Sequence, residues 1–259
     1  MNYSLKVLYS GSKGNAAVLQ AGDTAVLIDA GRSAKILTAA LEKAGISPDS
    51  LKAIFLTHEH HDHTAALDVF LKHHPVPVHV AGASADKLLS KADDAVRALV
   101  VPHPPLFCET VGALTFSSFC TSHDSAESVG FRITVSGEGE EHLLEYATDL
   151  GVVTPAVEEG LCGCEAVVLE CNHDEEMLMT GPYPYDLKRR IASRRGHLSN
   201  ADCAVFSARL AAGGMQRLLL AHLSETNNLP ELALGEVSAA LAGTAVRVAA
   251  ASPTDITEL

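Results

Sequence analysis

An α/β layered fold is what this sequence predicts, and three observations predict it. Short apolar, β-branched runs alternate with segments of helical periodicity, Gly and Asp punctuate the joints, and no fixed-period repeat of the kind that builds a solenoid is present. With 259 residues, 47% hydrophobic and 20% charged, the chain can bury a core large enough to offset its ordering entropy. A single domain over 1–259 is expected, because no Pro/Ser-rich linker or low-complexity tract divides it.

In chain order, "AVLIDA" leads into the helical "SAKILTAALEKAG", "LKAIFLT" into "TAALDVFLKH", and "VPVHVA" into "SADKLLSKA". The middle stretches "LTFSSFCTSH", "SVGFRITVSG" and "HLLEYATDLG" read as successive strands joined by Gly and Asp turns. Then "AVVLECN", "RLLLAHL" and "AVRVAA" resume the strand and helix alternation. Polar clusters follow five of these strands: Thr57 to His63, "TSHD", "TDLG", "CNHD" and "HLSETNN". Strand ends are where distant segments of a layered α/β fold converge on one crevice, so five clusters point to one site.

Composition excludes several classes. No apolar stretch approaches the roughly 20 residues of a membrane span, and "MNYSLKVLYSGS" lacks the pattern of a secretory signal, so a cytoplasmic protein without membrane contact is expected. Its six cysteines are scattered, which suits free thiols in a reducing compartment; the "CGC" at Cys162 to Cys164 is only a weak soft-metal signal. A formal net charge of −13 argues against broad attraction to nucleic acid or anionic lipid, so any polyanion must be held locally. One stretch could hold it: "LKRRIASRRGH" carries Lys188, Arg189, Arg190, Arg194 and Arg195, though a solvated helix face explains the run equally well.

His58, His60, Asp62 and His63 form the pattern HxHxDH directly after a buried strand. Imidazoles two positions apart can point the same way from an extended loop, and a mixed His/Asp set suits zinc, manganese or iron. This motif, the later His123, Asp149 and His222, and the stretches "SGSKGN", "LECNHDEEML", "GHLSN" and "AHLSETNN" resemble the metallo-β-lactamase superfamily of dinuclear hydrolases. Within it they are similar to the WalJ/YycJ branch related to ribonuclease Z, over nearly the whole chain.

The resemblance implies an αββα sandwich of two mixed β-sheets flanked by helices, and two divalent ions (Zn, Mn or Fe). His58, His60 and His123 would bind one ion, Asp62, His63 and His222 the other, and Asp149 would bridge them. Such a pair activates water for in-line displacement. His197 of "GHLSN" resembles a histidine that lies by the scissile phosphate in ribonuclease Z relatives and could give a proton to the leaving oxygen. Asp62, Asp149 and His197 are therefore the expected catalytic groups.

Asn15, Asn172, His173, His197, Ser199 and Asn200 are the expected substrate contacts. For several of them a plainer reading stays open. "SGSKGN" is not a P-loop and reads first as a tight strand connection, Asn172 and His173 suit support of a metal ligand equally well, and Ser199 is a good helix N-cap. His73, His74, His79, His103 and His142 lie outside the motifs and are expected to be surface or structural.

The chain lacks the long inserted arm of tRNA-processing relatives, and it is too short for a β-CASP domain. The expected activity is a phosphodiesterase on single-stranded DNA or RNA, acting as an exonuclease. A small cyclic phosphodiester or thioester is the alternative substrate, and a regulatory metal-binding module is the alternative class. With 5% aromatic residues and no Trp, extended base stacking would be sparse.

Overall fold

The computed structural model describes residues 2–137 and 139–259. The first sheet collects β1 (Tyr3–Tyr9), β2 (Ala16–Ala21), β3 (Thr24–Ile28), β4 (Leu51–Phe55), β5 (Val78–Ala81) and β6 (Val100–His103). The second collects β7 (Cys108–Val111), β8 (Leu114–Cys120), β9 (Val129–Ser136), β10 (Glu141–Ala147), β11 (Ala166–Glu170), β12 (Arg217–Ala221) and β13 (Arg247–Ala250). The last strand, β14 (Thr257–Glu258), returns to the β1 edge, giving two seven-stranded sheets.

Both sheets follow one plan. In the order β14-β1-β2-β3-β4-β5-β6 the first three pairings are antiparallel and the last three parallel. The order β7-β8-β9-β10-β11-β12-β13 repeats that sequence. The repeat extends to backbone corners: Asp29 just after β3 and Asp149 just after β10 both adopt the left-handed conformation, φ 59° and 58°. That region is uncommon outside Gly, although Asp tolerates it better than most residues.

Helices cover the outer faces. α1 (Ala34–Lys43), α2 (His61–Thr64), α3 (Leu67–His73), α4 (Gly82–Leu89) and α5 (Asp94–Arg97) follow strands of the first sheet. α6 (Pro155–Leu161), α7 (Glu175–Thr180), α8 (Tyr185–Ile191), α9 (Asn200–Ala212) and α10 (Pro230–Ala240) accompany the second. Leu5, Val7, Phe55, Phe116, Phe131, Tyr146 and Val168 fill the space between the sheets. Leu27, Leu37, Leu41, Ile54 and Phe70 pack one sheet under its helices, and Val167, Leu169, Phe206, Leu220 and Val237 do so for the other. This is the αββα sandwich of two mixed sheets that the motifs implied.

The helix expected over "TAALDVFLKH" begins earlier and divides. α2 starts at His61, inside the motif, and the chain turns at Ala65 and Ala66, where Ala66 N–H donates to the Ala30 carbonyl at 2.9 Å. That bond fastens the motif to the corner after β3. Among the described residues no helix is long and apolar enough to cross a membrane.

Candidate metal centre

All five strand ends open at the same edge of the sandwich. His58, His60, Asp62 and His63 come from the β4 end, His123 from β8, Asp149 from β10, Glu170 with Asn172 and His173 from β11, and His222 from β12. His58, His63, His123, Asp149 and His222 are buried, whereas His60, Asp62 and His197 are partly open to a cleft of about 320 Å³.

His58, His63, His123 and His222 share one arrangement: one ring nitrogen lies against a protein group and the other faces the common centre. His63 Nδ1 donates to Asp29 at 2.8 Å, which leaves Nε2 3.1 Å from Asp149 Oδ2. His123 Nδ1 donates to the Gly196 carbonyl at 3.1 Å, and its Nε2 lies 3.3 Å from His60 Nδ1. His222 Nδ1 lies 3.4 Å from Glu170, with Nε2 3.5 Å from both Asp62 and Asp149. His58 Nδ1 lies 3.1 Å from the Thr57 hydroxyl.

Among the buried side-chain atoms without a hydrogen-bond partner are His58 Nε2 and Asp149 Oδ2, both at the centre. Buried polar atoms are rarely orphaned, and a cation between them would satisfy both. The donor atoms of His58, His60 and His123 lie within 4.8 Å of one another, as do those of Asp62, His63 and His222, and those of His58, His63 and Asp149. These residue types and this closeness fit divalent metal binding.

Electrostatics agree. Burial opposes charge on His63, yet the carboxylates of Asp29, Asp149 and Asp62 outweigh it and hold its proton well above the ordinary imidazole range. For His222, burial is likewise outweighed by Asp149, Asp62 and Glu170. A site that attracts protons so strongly attracts a metal cation in their place, with release of those protons.

Small residues and a polar frame set these positions. Gly31 sits where a Cβ would come 2.0 Å from the Asp62 carbonyl oxygen and 2.5 Å from Asn15 N. Asn15 N–H donates to the Asp62 carbonyl at 2.8 Å, and Gly31 N–H to the Asn15 carbonyl at 2.9 Å. The Thr57 hydroxyl lies 3.0 Å from both Asp29 oxygens, which ties the β3 corner to the motif.

The expected substrate contacts divide. His197 lines the cleft. Asn172 reaches it too, but its Nδ2 donates to the His222 carbonyl at 2.8 Å, so it holds the loop that carries His222. Asn15 is fully buried: its side-chain nitrogen lies 3.1 Å from His63 Nε2, and its oxygen accepts from Ser10 Oγ and Gly11 N–H. Thus "SGSKGN" is a tight connection between β1 and β2 that supports the centre from behind. Ser199 accepts from Asp202 N–H as the N-cap of α9, and with His173 it lines a neighbouring pocket that also includes His197. Asn200 is buried and exchanges hydrogen bonds with Asn228 at 2.8 and 2.9 Å, which turns its side chain into the core.

Glu170 escaped the sequence reading. Fully buried at the end of β11, it accepts from His197 Nδ1 at 2.7 Å and from Leu150 N–H at 2.8 Å. Burial would raise its pKa, but the charge and hydrogen bond of His197 outweigh this and hold it at about 2. The only signal was an acid closing the apolar run "AVVLE". Asp29, one residue past β3 in "AVLIDA", gave a similarly faint signal.

Residues 9–116 match the family model described as the metallo-beta-lactamase superfamily. The chain is 33% identical over 245 residues to a Bacillus anthracis protein named exodeoxyribonuclease YycJ, covering 93% of this chain and 90% of that one. The chain belongs to the metallo-β-lactamase superfamily. A Streptococcus pneumoniae relative named exodeoxyribonuclease WalJ is 30% identical over 238 residues, 90% of this chain and 86% of the other, which places the chain in the YycJ/WalJ branch. The fold is shared with the short form of human tRNase Z, at a TM-score of 0.66 and 16% identity over 98% of each chain. The branch read from the motifs is therefore the one the whole chain belongs to.

Proposed function

We propose that this chain is a metal-dependent phosphodiesterase, built as one domain, that removes nucleotides from an end of a single nucleic-acid strand. The observation that carries this reading is the position of Asp149. Its carboxylate lies 3.1 Å from His63, 3.5 Å from His222 and 3.6 Å from His123, between the two histidine sets. That supports two ions, one held by His58, His60 and His123 and one by Asp62, His63 and His222, with Asp149 shared. The YycJ and WalJ names support a nuclease, and the set admits zinc, manganese or iron.

When bound, such ions supply Lewis acidity and a water acidified from 15.7 toward about 7. The chain's own groups do the rest. Asp62, partly open to the cleft, can orient the attacking water through its free oxygen lone pairs. His197 is tied through Nδ1 to Glu170, which leaves Nε2 as the nitrogen available to the substrate. Burial opposes its charge, but Glu170 outweighs this and raises its pKa, so Nε2 carries a proton to give to the leaving oxygen.

The test is digestion of a single-stranded oligonucleotide labelled separately at each end, with manganese or zinc, and with Asp149→Ala as the control. Stepwise release from one end by the wild type alone is the expected result. The His197→Ala variant should keep nearly all its metal while turning over more slowly. An intact oligonucleotide with metal-loaded protein would overturn the nuclease reading in favour of small phosphodiesters or thioesters.

A further inference from the structure

Five cations stand within residues 188–195 of a chain whose formal net charge is −13. Among 32 acidic side chains a basic one ordinarily finds a carboxylate, and Lys13, Lys72 and Arg209 each do, yet among the described residues only Arg190 of these five cations does so, on Asp124. Lys188 Nζ donates to the Met179 carbonyl at 2.8 Å, the Arg189 guanidinium lies 5.9 Å from the Tyr185 ring centroid, and Arg195 Nε donates to the His123 carbonyl at 3.1 Å. These contacts position the side chains without neutralising them.

The segment is fastened to the loops of the metal centre. The Gly196 carbonyl accepts from His123, and Ser122 Oγ donates to the Arg194 carbonyl at 2.8 Å. Gly151, two residues after Asp149, lies so close to this turn that a Cβ would sit 2.5 Å from the Ser193 carbonyl oxygen and the Arg194 carbonyl carbon. A Cβ on Gly196 would sit 2.0 Å from the Ile191 carbonyl oxygen, so the turn is equally tight within itself. The backbone that carries Arg194 and Arg195 therefore holds a fixed place relative to His123 and Asp149. α8 buries none of its residues, and its Leu187 and Arg190 reach the cleft wall.

We propose that residues 188–195 form a ledge that binds phosphates of the nucleic-acid strand beyond the scissile bond. This rests on the phosphodiesterase reading above. Positive charges without acidic partners attract a polyanion, and the guanidinium fork suits two phosphate oxygens at once. Tyr185, 65% exposed beside Arg189, adds a flat face on which an unpaired base can stack. Phosphate contacts hold any sequence, so the ledge fixes the register of the strand without selecting its bases.

The test uses the metal-loaded double variant Arg189→Ala/Arg194→Ala, which leaves Arg190 and Arg195 on their Asp124 and His123 partners. Binding is read by fluorescence anisotropy on a phosphorothioate single strand, and turnover on bis(p-nitrophenyl) phosphate and on an ordinary oligonucleotide. At about 0.1 M salt the variant should bind roughly 10-fold more weakly, and the slope of log K against log salt should flatten by about 1.4, or ~0.7 per lost contact. Turnover of the small ester should stay within about twofold, and Arg189→Lys/Arg194→Lys should recover most of the binding. Unchanged affinity and slope would overturn the ledge, as would a loss of small-ester turnover in step with binding, which would make the segment a mere support of His123. If the wild type cleaves neither ester, the phosphodiesterase reading fails, and the anisotropy comparison still decides the ledge.

Discussion

Replacing Glu170 by Gln asks how a fully buried carboxylate governs the open cleft. One oxygen of Glu170 accepts from His197 at 2.7 Å and lies 3.4 Å from His222 Nδ1, and the other accepts from Leu150 N–H at 2.8 Å. Every neighbour is a donor. Glutamine keeps the shape but has one acceptor oxygen, so its amino group must face either the imidazoles or the Leu150 amide. A buried donor left unsatisfied costs about 1–3 kcal/mol. At about 2–4 °C per kcal/mol for a chain of this size, the melting temperature should fall by roughly 2–12 °C.

Activity should fall further than stability. Removing the partner of a histidine beside a metal site costs on the order of 10–100-fold in affinity or rate. The sign with pH follows from His197. Glu170 raises its pKa, so without that charge burial prevails and the proton is lost at lower pH. The deficit should therefore be larger near pH 8 than near pH 6. Thermal melting, metal content by mass spectrometry and kcat/KM on bis(p-nitrophenyl) phosphate across that range form the assay. A variant that melts and turns over like the wild type at both pH values would refute the reasoning.

Other perturbations probe the frame. Gly31→Ala places a methyl against the Asp62 and Asn15 backbones; strain of about 1–3 kcal/mol and a fall in bound metal are expected, read by melting and metal analysis. Asn172→Ala frees the His222 loop, so metal should dissociate faster in a chelator competition while the melting temperature of chelated protein changes by only a few degrees. Glu145, buried and bonded to Cys164 Sγ at 2.6 Å, has its pKa pushed up by burial to about 8 from an ordinary 4.5. Between those values the folded state keeps a proton that the unfolded state has lost, so this group's contribution to stability falls as pH rises through that window. Glu145→Gln should therefore gain stability relative to wild type on going from about pH 5 to pH 8, by a few kcal/mol. Equal differences at both ends would exclude the assignment.

What the sequence made legible was local. Stretches such as "AIFL" and "LLLA" are continuous apolar runs because parallel strands are covered on both faces, and HxHxDH is a compact pattern of chemically distinctive residues. What stayed hidden depended on residues far apart in the chain. Asn15 and Asn200 look like surface polar groups until folding gives them Asp62, His63 and Asn228 as partners. Glu170 and Asp29 look like strand punctuation until imidazoles arrive from elsewhere. The short strands β6 and β7 lie at sheet edges with mixed exposure, so neither a run nor an alternation marked them.

The repeated strand plan divides the candidate centre between two halves of one chain. The half ending at β6 carries His58, His60, Asp62 and His63, and the half beginning at β7 carries His123, Asp149, Glu170, His197 and His222. Either half alone, the first also without its β14 edge strand, would bury one face of its sheet under helices while leaving the other face apolar and unmatched, and it would own only part of each candidate ligand set. The connection between them passes Leu106, 65% exposed, where a cut would cost little packing. Two fragments separated there would have to find each other before either could hold metal tightly, so metal affinity would report their reunion.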